Sequence, residues 1–202
     1  MNKIIFATGN EHKLKEIRMI LADLNMPVLS MKEANIAVDV VEDGKTFEEN
    51  ALKKAKAIAA CAPEAIVLAD DSGLEIDYLN KEPGIYSARY MGEQTSYDIK
   101  NAQLLTRLKG VPAQKRSARF VCAIAAVLPG GDVRQVTGTI EGRIAEEIKG
   151  ENGFGYDPIF YVPELEKTTA ELTEEHKNRI SHRGKALQAM KEEIESYIRA
   201  AG

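Results

Sequence analysis

Ile4-Ile5-Phe6-Ala7 is an unbroken apolar run of the kind a strand buried on both faces requires, and residues 2 to 7 read as such a strand. The period then changes. Leu14, Ile17, Leu21 and Leu24 recur at helical spacing and predict an amphipathic helix over about 11 to 24, ended near Asn25 and Pro27, with 28 to 41 extended. Thr46-Phe47-Glu48-Glu49 fits a capping box in which Thr46 accepts the Glu49 N–H while the Glu49 side chain reaches back. Ala51, Ala55, Ile58 and Ala59 give that helix its apolar face down to about Ala60. A short buried strand, 65 to 69, ends in Asp70-Asp71-Ser72-Gly73, and Leu74, Ile76 and Tyr78 alternate with Glu75 and Asp77 as in a half-exposed strand or hairpin partner.

Residues 96 to 108 predict a third helix with Ile99, Ala102, Leu105 and Leu108 on its apolar side, stopped by Gly110 and Pro112. The strand-like runs 117 to 128 and 133 to 142 are joined by Pro129-Gly130-Gly131-Asp132, a hairpin turn with glycines where positive φ is needed. A glycine-rich loop, 150 to 158, leads into the strand Ile159 to Val162, and a final helix from about 181 to 200 carries Leu187, Met190, Ile194, Tyr197 and Ile198. Helices alternate with strands at both ends around a central hairpin, which implies an α/β fold with a mixed sheet. The 202 residues can fill one large domain or two small lobes, and with no linker, repeat or low-complexity block the expectation is a single domain over 1–202.

Charge narrows the partners. With 27 Lys and Arg against 31 Asp and Glu the net charge is −4, which argues against a non-specific grip on nucleic acid but not against a local basic pocket for a small anion. Lys13, Lys54, Lys177, Arg179 and Arg183 could supply one. The longest apolar stretches fall far short of the roughly 20 residues that cross a bilayer, and the chain enters a strand at once. The expectation is therefore a soluble cytoplasmic protein without membrane association. Cys61 and Cys122 are outside any metal or redox spacing, and both read as small core residues.

Four segments carry candidate chemistry. Thr8-Gly9-Asn10, with Lys13 a turn later, describes an anion seat where a strand feeds a helix, or else a plain Asn cap. Asp70-Asp71 offers two carboxylates for a hard cation such as Mg²⁺ and for a general base, or else an Asx turn. Gly153-Phe154-Gly155-Tyr156-Asp157-Pro158 suits a base stacking on a ring while bare backbone reads its edge, although Phe154 could instead plug the core above Tyr156. Ser181-His182-Arg183-Gly184 opens the last helix with donors facing outward, or caps it beside two surface residues. Glu42 and Asp43 add carboxylate or a solvated acidic turn, and His12 and His176 read as surface residues.

Together with Thr46 to Ala51 and Pro83-Gly84-Ile85-Tyr86-Ser87-Ala88-Arg89-Tyr90, these segments closely resemble the non-canonical purine NTP pyrophosphatases, the inosine triphosphate pyrophosphatase or Ham1-like family, from end to end. The resemblance implies a mixed, curved sheet flanked by helices, in two lobes around a deep nucleotide cleft. It implies a homodimer that uses Mg²⁺ to hydrolyse ITP, dITP and XTP to the monophosphate and pyrophosphate. Carried over by residue, Thr8, Gly9, Asn10, Glu11, His12 and Lys13 would bind the triphosphate and Lys54 would face a phosphate. Asp71 would be general base and metal ligand, and Ser72 would touch substrate. Phe154, Gly155, Tyr156, Asp157, Lys177, His182 and Arg183 would complete the nucleotide site. Many bacterial members carry two glutamates where this chain has Val41-Glu42, so Glu42 becomes the second metal ligand.

Two rivals remain. A Maf-like pyrophosphatase acting on pyrimidine or modified nucleotides typically begins with a Ser-rich, Arg-containing loop, unlike Thr8-Gly9-Asn10. A nucleotide-sensing module would hold the ligand without Asp71 hydrolysing it. No P-loop or dinucleotide glycine fingerprint is present.

Overall fold

The computed structural model describes residues 3–201. In chain order the elements are β1 (Ile4–Phe6), α1 (Glu11–Ile20), β2 (Val28–Ser30), α2 (Phe47–Ala59), β3 (Ile66–Ile76), α3 (Tyr97–Arg107), β4 (Ser117–Val127), β5 (Val133–Ile144), β6 (Phe160–Val162), β7 (Lys167–Thr168), α4 (Glu174–Ile180) and α5 (His182–Ala201). The strands form one sheet in the order β2-β1-β3-β4-β5-β6-β7. β1 runs parallel to β2 and β3, with Ile5 opposite Leu29 and Val67, whereas β6 is antiparallel to β5 and β7. The sheet is therefore mixed, as the alternating periods predict.

By compactness the chain divides into two units, one of Met1–Asp71, Cys122–Gly138 and His182–Gly202, the other of Ser72–Val121 and Thr139–Ser181. In the first, Ile4 and Phe6 of β1 and Ile66 and Leu68 of β3 pack with Leu14 and Ile17 of α1 and with Leu187, Met190 and Ile194 of α5. A side chain of this kind contributes about 1.5–3 kcal/mol when fully buried, so Ile17→Ala, which also leaves a cavity, costs about 2–5 kcal/mol. Gly138 sets the entry of α5: a Cβ there would overlap the His182 carbonyl and come within 2.6 Å of the Ala186 nitrogen.

In the second unit Leu74, Ile76, Leu104, Leu108, Phe120, Ile144, Ile159 and Phe160 form the core, with the Phe120 and Phe160 ring centroids 4.5 Å apart. Arg116, only 3% exposed, crosses this core as a strut. Its guanidinium donates to the carbonyls of Leu108, Ile144 and Ala145 at 2.8, 2.9 and 2.5 Å, which meets much of the cost of burying the charge.

Several expectations are corrected. β3 does not stop at Ala69 but runs on through Asp70-Asp71-Ser72-Gly73 to Ile76, so the aspartates are mid-strand and make no Asx turn. Within the expected extended stretch 28 to 41 only Val28–Ser30 pairs as a strand, and residues 31 to 35 form a turn that Ser30 and Glu33 close by bonding each other's backbone N–H (2.7 and 3.1 Å). Glu49 accepts from Lys45 N at 2.6 Å instead of Thr46 N, so the capping box is complete only on the Thr46 side. Along α3 the buried face is Lys100, Asn101, Leu104 and Leu108, while Ile99 is 54% exposed. Cys61 is exposed and only Cys122 joins the core. β7 and α4 were not expected, and Asn2, at the start of the expected first strand, lies outside the described residues.

Candidate active site

The turn after β1 is an Asn-capped helix start. Asn10 Oδ1 accepts from His12 N and Lys13 N at 3.0 and 3.2 Å, and Thr8 Oγ1 accepts from Asn10 N at 3.1 Å. Thr8 is half-buried, and Gly9, Asn10, Glu11 and His12 are exposed. Among the described residues, its two chain neighbours aside, nothing lies within 4 Å of where a Cβ on Gly9 would stand.

One turn on, Lys13 extends toward β3 and places Nζ 2.9 Å from Asp70. Arg183, from the first turn of α5, reaches the same carboxylate at 3.4 Å and Glu16 at 2.7 Å. Burial opposes ionisation of Asp70, but Lys13, Arg183 and Lys54 more than offset it and hold its carboxyl well below the usual range. Asp71 points to the opposite face of the strand, as alternation demands, and its Oδ2 accepts from Asn50 Nδ2 of α2 at 2.9 Å. Burial pushes the Asp71 pKa up, Glu42 adds to the rise, and Lys54 and Asn50 offset part of it. Two adjacent carboxylates thus titrate in opposite directions, a separation seen where one group anchors and another takes a proton. Lys54 Nζ lies 2.8 Å from Glu42. Burial works against its charge, but Asp70, Glu42 and Asp71 together hold it above the ordinary lysine value. The Cys122 thiol, pushed up to about 12 by burial and Asp70, is unsuited as a nucleophile.

The second unit carries the aromatic loop. Gly153 and Gly155 adopt φ of +75° and +69°, which lets the chain fold back on Asp157. Asp157 Oδ2 accepts from Phe154 N at 2.8 Å and from Lys177 Nζ at 2.7 Å, and its Oδ1 accepts from Thr169 Oγ1 at 2.8 Å. Lys177, on α4, also stands 4.7 Å from the centroid of the half-buried Phe154 ring. Tyr156 is the residue that plugs the core: it is 4% exposed and donates its hydroxyl hydrogen to Ser87 O at 2.7 Å.

The structure brings Lys13, Glu42, Lys54, Asp71 and Arg183 into one constellation and Phe154, Gly155, Tyr156, Asp157 and Lys177 into another. Ser72, half-buried, follows Asp71 in β3. His182 and Arg183, expected to face outward, are buried at 6% and 3%, because Gly138 lets the start of α5 sit close against β5. Sequence reasoning missed Asp70 as an anchor, Glu16 as the partner of Arg183, and Asn50 as the donor to Asp71. A glutamate one turn beyond Lys13 and an asparagine buried on an alanine-rich face were the available signals.

For a metal, the donor set is oxygen only. Among the described residues no cluster of three or more His, Cys, Asp or Glu side chains could hold an ion. Glu42 and Asp71 lie close enough to influence each other's charge, whereas Asp43 is drawn off by Lys53. Two carboxylates and no nitrogen or sulfur fit a hard divalent cation that takes the rest of its shell from water and phosphate.

The Ham1 family model matches residues 4–193. The dITP/XTP pyrophosphatase of Clostridium perfringens is 50% identical, the match covering 98% of this chain and 100% of the relative. The Ham1 protein of Staphylococcus aureus superposes with a TM-score of 0.86 at 43% identity, covering 97% of this chain and all of its own. A HAM1 protein from Coxiella burnetii gives 0.87 at 40% identity with the same coverage. Among the described residues no helix is long and apolar enough to cross a membrane. Matched along nearly its whole length in both sequence and fold, the chain belongs to the Ham1 family.

Proposed function

We propose that this chain hydrolyses non-canonical purine nucleoside triphosphates, dITP, XTP and ITP, to the monophosphate and pyrophosphate, and so clears them from the nucleotide pool. The observation that carries this reading is the placing of Asp70 and Asp71 on opposite faces of one strand, the first ion-paired to Lys13 and Arg183, the second beside Asn50 and Lys54. The names of the relatives agree with it.

In this reading the Thr8–Lys13 turn and Lys54 hold the triphosphate, whose charge must be offset before water approaches phosphorus. Asp71 takes a proton from water as its oxygen bonds to the α-phosphorus. The bond from that phosphorus to the α–β bridging oxygen breaks, and the electron pair leaves with pyrophosphate. Glu42 and Asp71 would hold Mg²⁺, which when bound polarises phosphoryl oxygens and neutralises leaving-group charge. Phe154 stacks on the purine, and Lys177 stands over that ring with its charge balanced by Asp157. His182 and Arg183 join the nucleotide site from the start of α5. Adenine, with an amino group where hypoxanthine has oxygen, would leave a buried donor unpaired at about 1–3 kcal/mol per group. By family resemblance the working form is a cytoplasmic homodimer of one 1–202 domain, with no nucleic-acid or membrane partner.

The test is pyrophosphate release from dITP, XTP, ITP, dGTP, dATP and a pyrimidine triphosphate under one set of conditions with Mg²⁺. Turnover confined to the first three is expected. A preference for the pyrimidine would favour the Maf-like alternative, and binding without release from any would leave a sensing module.

A further inference from the structure

Helix α3 turns polar side chains inward. Lys100 and Asn101 are each 1% exposed, while Ile99 beside them faces solvent. Burying an ammonium and an amide is costly unless each is hydrogen-bonded, so the partners define what the helix is for. Asn101 Nδ2 donates to Gly155 O at 3.0 Å. Lys100 Nζ donates to Ala88 O at 2.7 Å and stands 4.8 Å from the Tyr97 ring centroid. Tyr97 meets Tyr156 edge-on, centroids 5.2 Å apart at 87°, and passes 3.6 Å from where a Cβ on Gly155 would be. Tyr156 closes the circuit through its 2.7 Å hydrogen bond to Ser87 O, one residue before Ala88. A single helix face therefore holds both the 153–157 loop and the 84–90 segment.

The orientation of the Asn101 amide is decided by this arrangement, since the reverse would set oxygen against oxygen at Gly155. Its Oδ1 is buried and has no hydrogen-bond partner among the described residues. The side chain thus carries an uncompensated desolvation cost while making one well-placed bond to the loop. Gly155 lies one residue past the ring assigned to the purine, and its φ of +69° makes the local backbone path depend on what holds it.

We propose that Asn101, backed by Tyr97 and Lys100, is a positioning residue for substrate selection: it sets where Phe154 and the adjoining backbone stand, and so how tightly the purine is gripped, without touching it. The inference rests on the reading of the Phe154 loop as the base-binding segment.

Asn101→Asp keeps the shape but faces a carboxylate oxygen toward Gly155 O, and Tyr97→Leu removes the ring edge from the other side of the same loop. In each folded variant KM for dITP is expected to rise about tenfold, the scale of one lost hydrogen bond with its penalty. kcat is expected to stay within about twofold, and competitive inhibition by inorganic pyrophosphate, which has no base, is expected to stay unchanged. The preference for dITP over dATP falls with it. Unchanged KM in both variants, or pyrophosphate inhibition weakened in parallel with KM, overturns the proposal, the second because it marks a general loosening. Should Asn101→Asp fail to fold by thermal unfolding, Tyr97→Leu decides by the same readouts. Phe154→Ala separates the two layers. If it leaves KM for dITP unchanged, the loop does not read the base and both fall; if it raises KM while Asn101→Asp and Tyr97→Leu do not, only the positioning role falls.

Discussion

The ammonium of Lys13 stands 2.9 Å from Asp70, a carboxylate only 1% exposed that Arg183 also reaches, at 3.4 Å. One anion thus orients two cations delivered by different helices, α1 and α5. Asp70→Asn leaves both with less compensation in a poorly solvated place. The expected cost is about 3–5 kcal/mol in urea unfolding, the range for breaking a buried pair from one side. Pyrophosphate release should fall with it, because Lys13 loses its orientation. A variant as stable as the parent would remove Asp70 from this role.

Asp71→Asn should behave in the opposite way. Because its pKa is raised in the folded state, chiefly by burial, ionised Asp71 costs stability at neutral pH, so the amide variant is expected to melt at or above the parent. Asn50 keeps an oxygen to donate to. Turnover of dITP should fall by about 10²–10⁴-fold, the usual contribution of a general base. In the parent, the base works only when ionised. In the protein without Mg²⁺ its carboxyl, raised by burial, is expected to titrate above the ordinary 3.8 of an aspartate. Titration of the side-chain carboxyl by NMR without Mg²⁺ that places it at or below 3.8 would contradict the assignment.

Gly153→Ala tests the aromatic loop. The residue has φ +75°, and a Cβ there would overlap Asp157 Oδ2, the oxygen that accepts from Phe154 N and Lys177 Nζ. Strain of about 1–3 kcal/mol is expected, with a higher KM for dITP and little change in inhibition by pyrophosphate. Steady-state kinetics with both compounds checks it.

Glu33 links acid stability to the turn after β2. Hydrogen bonds from Ser30 N and the Arg18 guanidinium bring its pKa down from 4.5 to about 2. A depressed carboxylate stabilises the fold fully above its unfolded value and loses that effect as pH drops through the folded one. The gap in melting temperature between the parent and Glu33→Gln should therefore be largest above pH 4.5 and close toward pH 2. Glu33 is solvent-exposed, so the gap should also shrink in high salt. An unchanged gap at pH 2.5 would be inconsistent with the Ser30–Glu33 turn acting this way.

Most of the element order was legible along the chain. β1 announced itself by a continuous apolar run, α2 by Thr46, the β4–β5 hairpin by Gly130-Gly131, and α5 by the spacing of Leu187, Met190 and Ile194, because those signals are local. The chemical residue types in Thr8–Lys13, Asp70-Asp71 and the Phe154 loop were legible for the same reason: turns, caps and adjacent carboxylates depend on near neighbours.

What only the tertiary structure decided is which polar groups face which. Asp70-Asp71 looked like the end of a strand, yet β3 carries them through, because Lys13, Arg183 and Asn50 arrive from distant helices to satisfy them. Ile99 looked like core, yet the buried face is rotated so that Leu108 stays inside while Lys100 and Asn101 replace Ile99, because Ala88 O and Gly155 O accept from them on the inner side. Hydrophobic period identifies an amphipathic helix from its own residues. The direction it faces, and the charge state of what it buries, depend on partners that the chain brings in from far away.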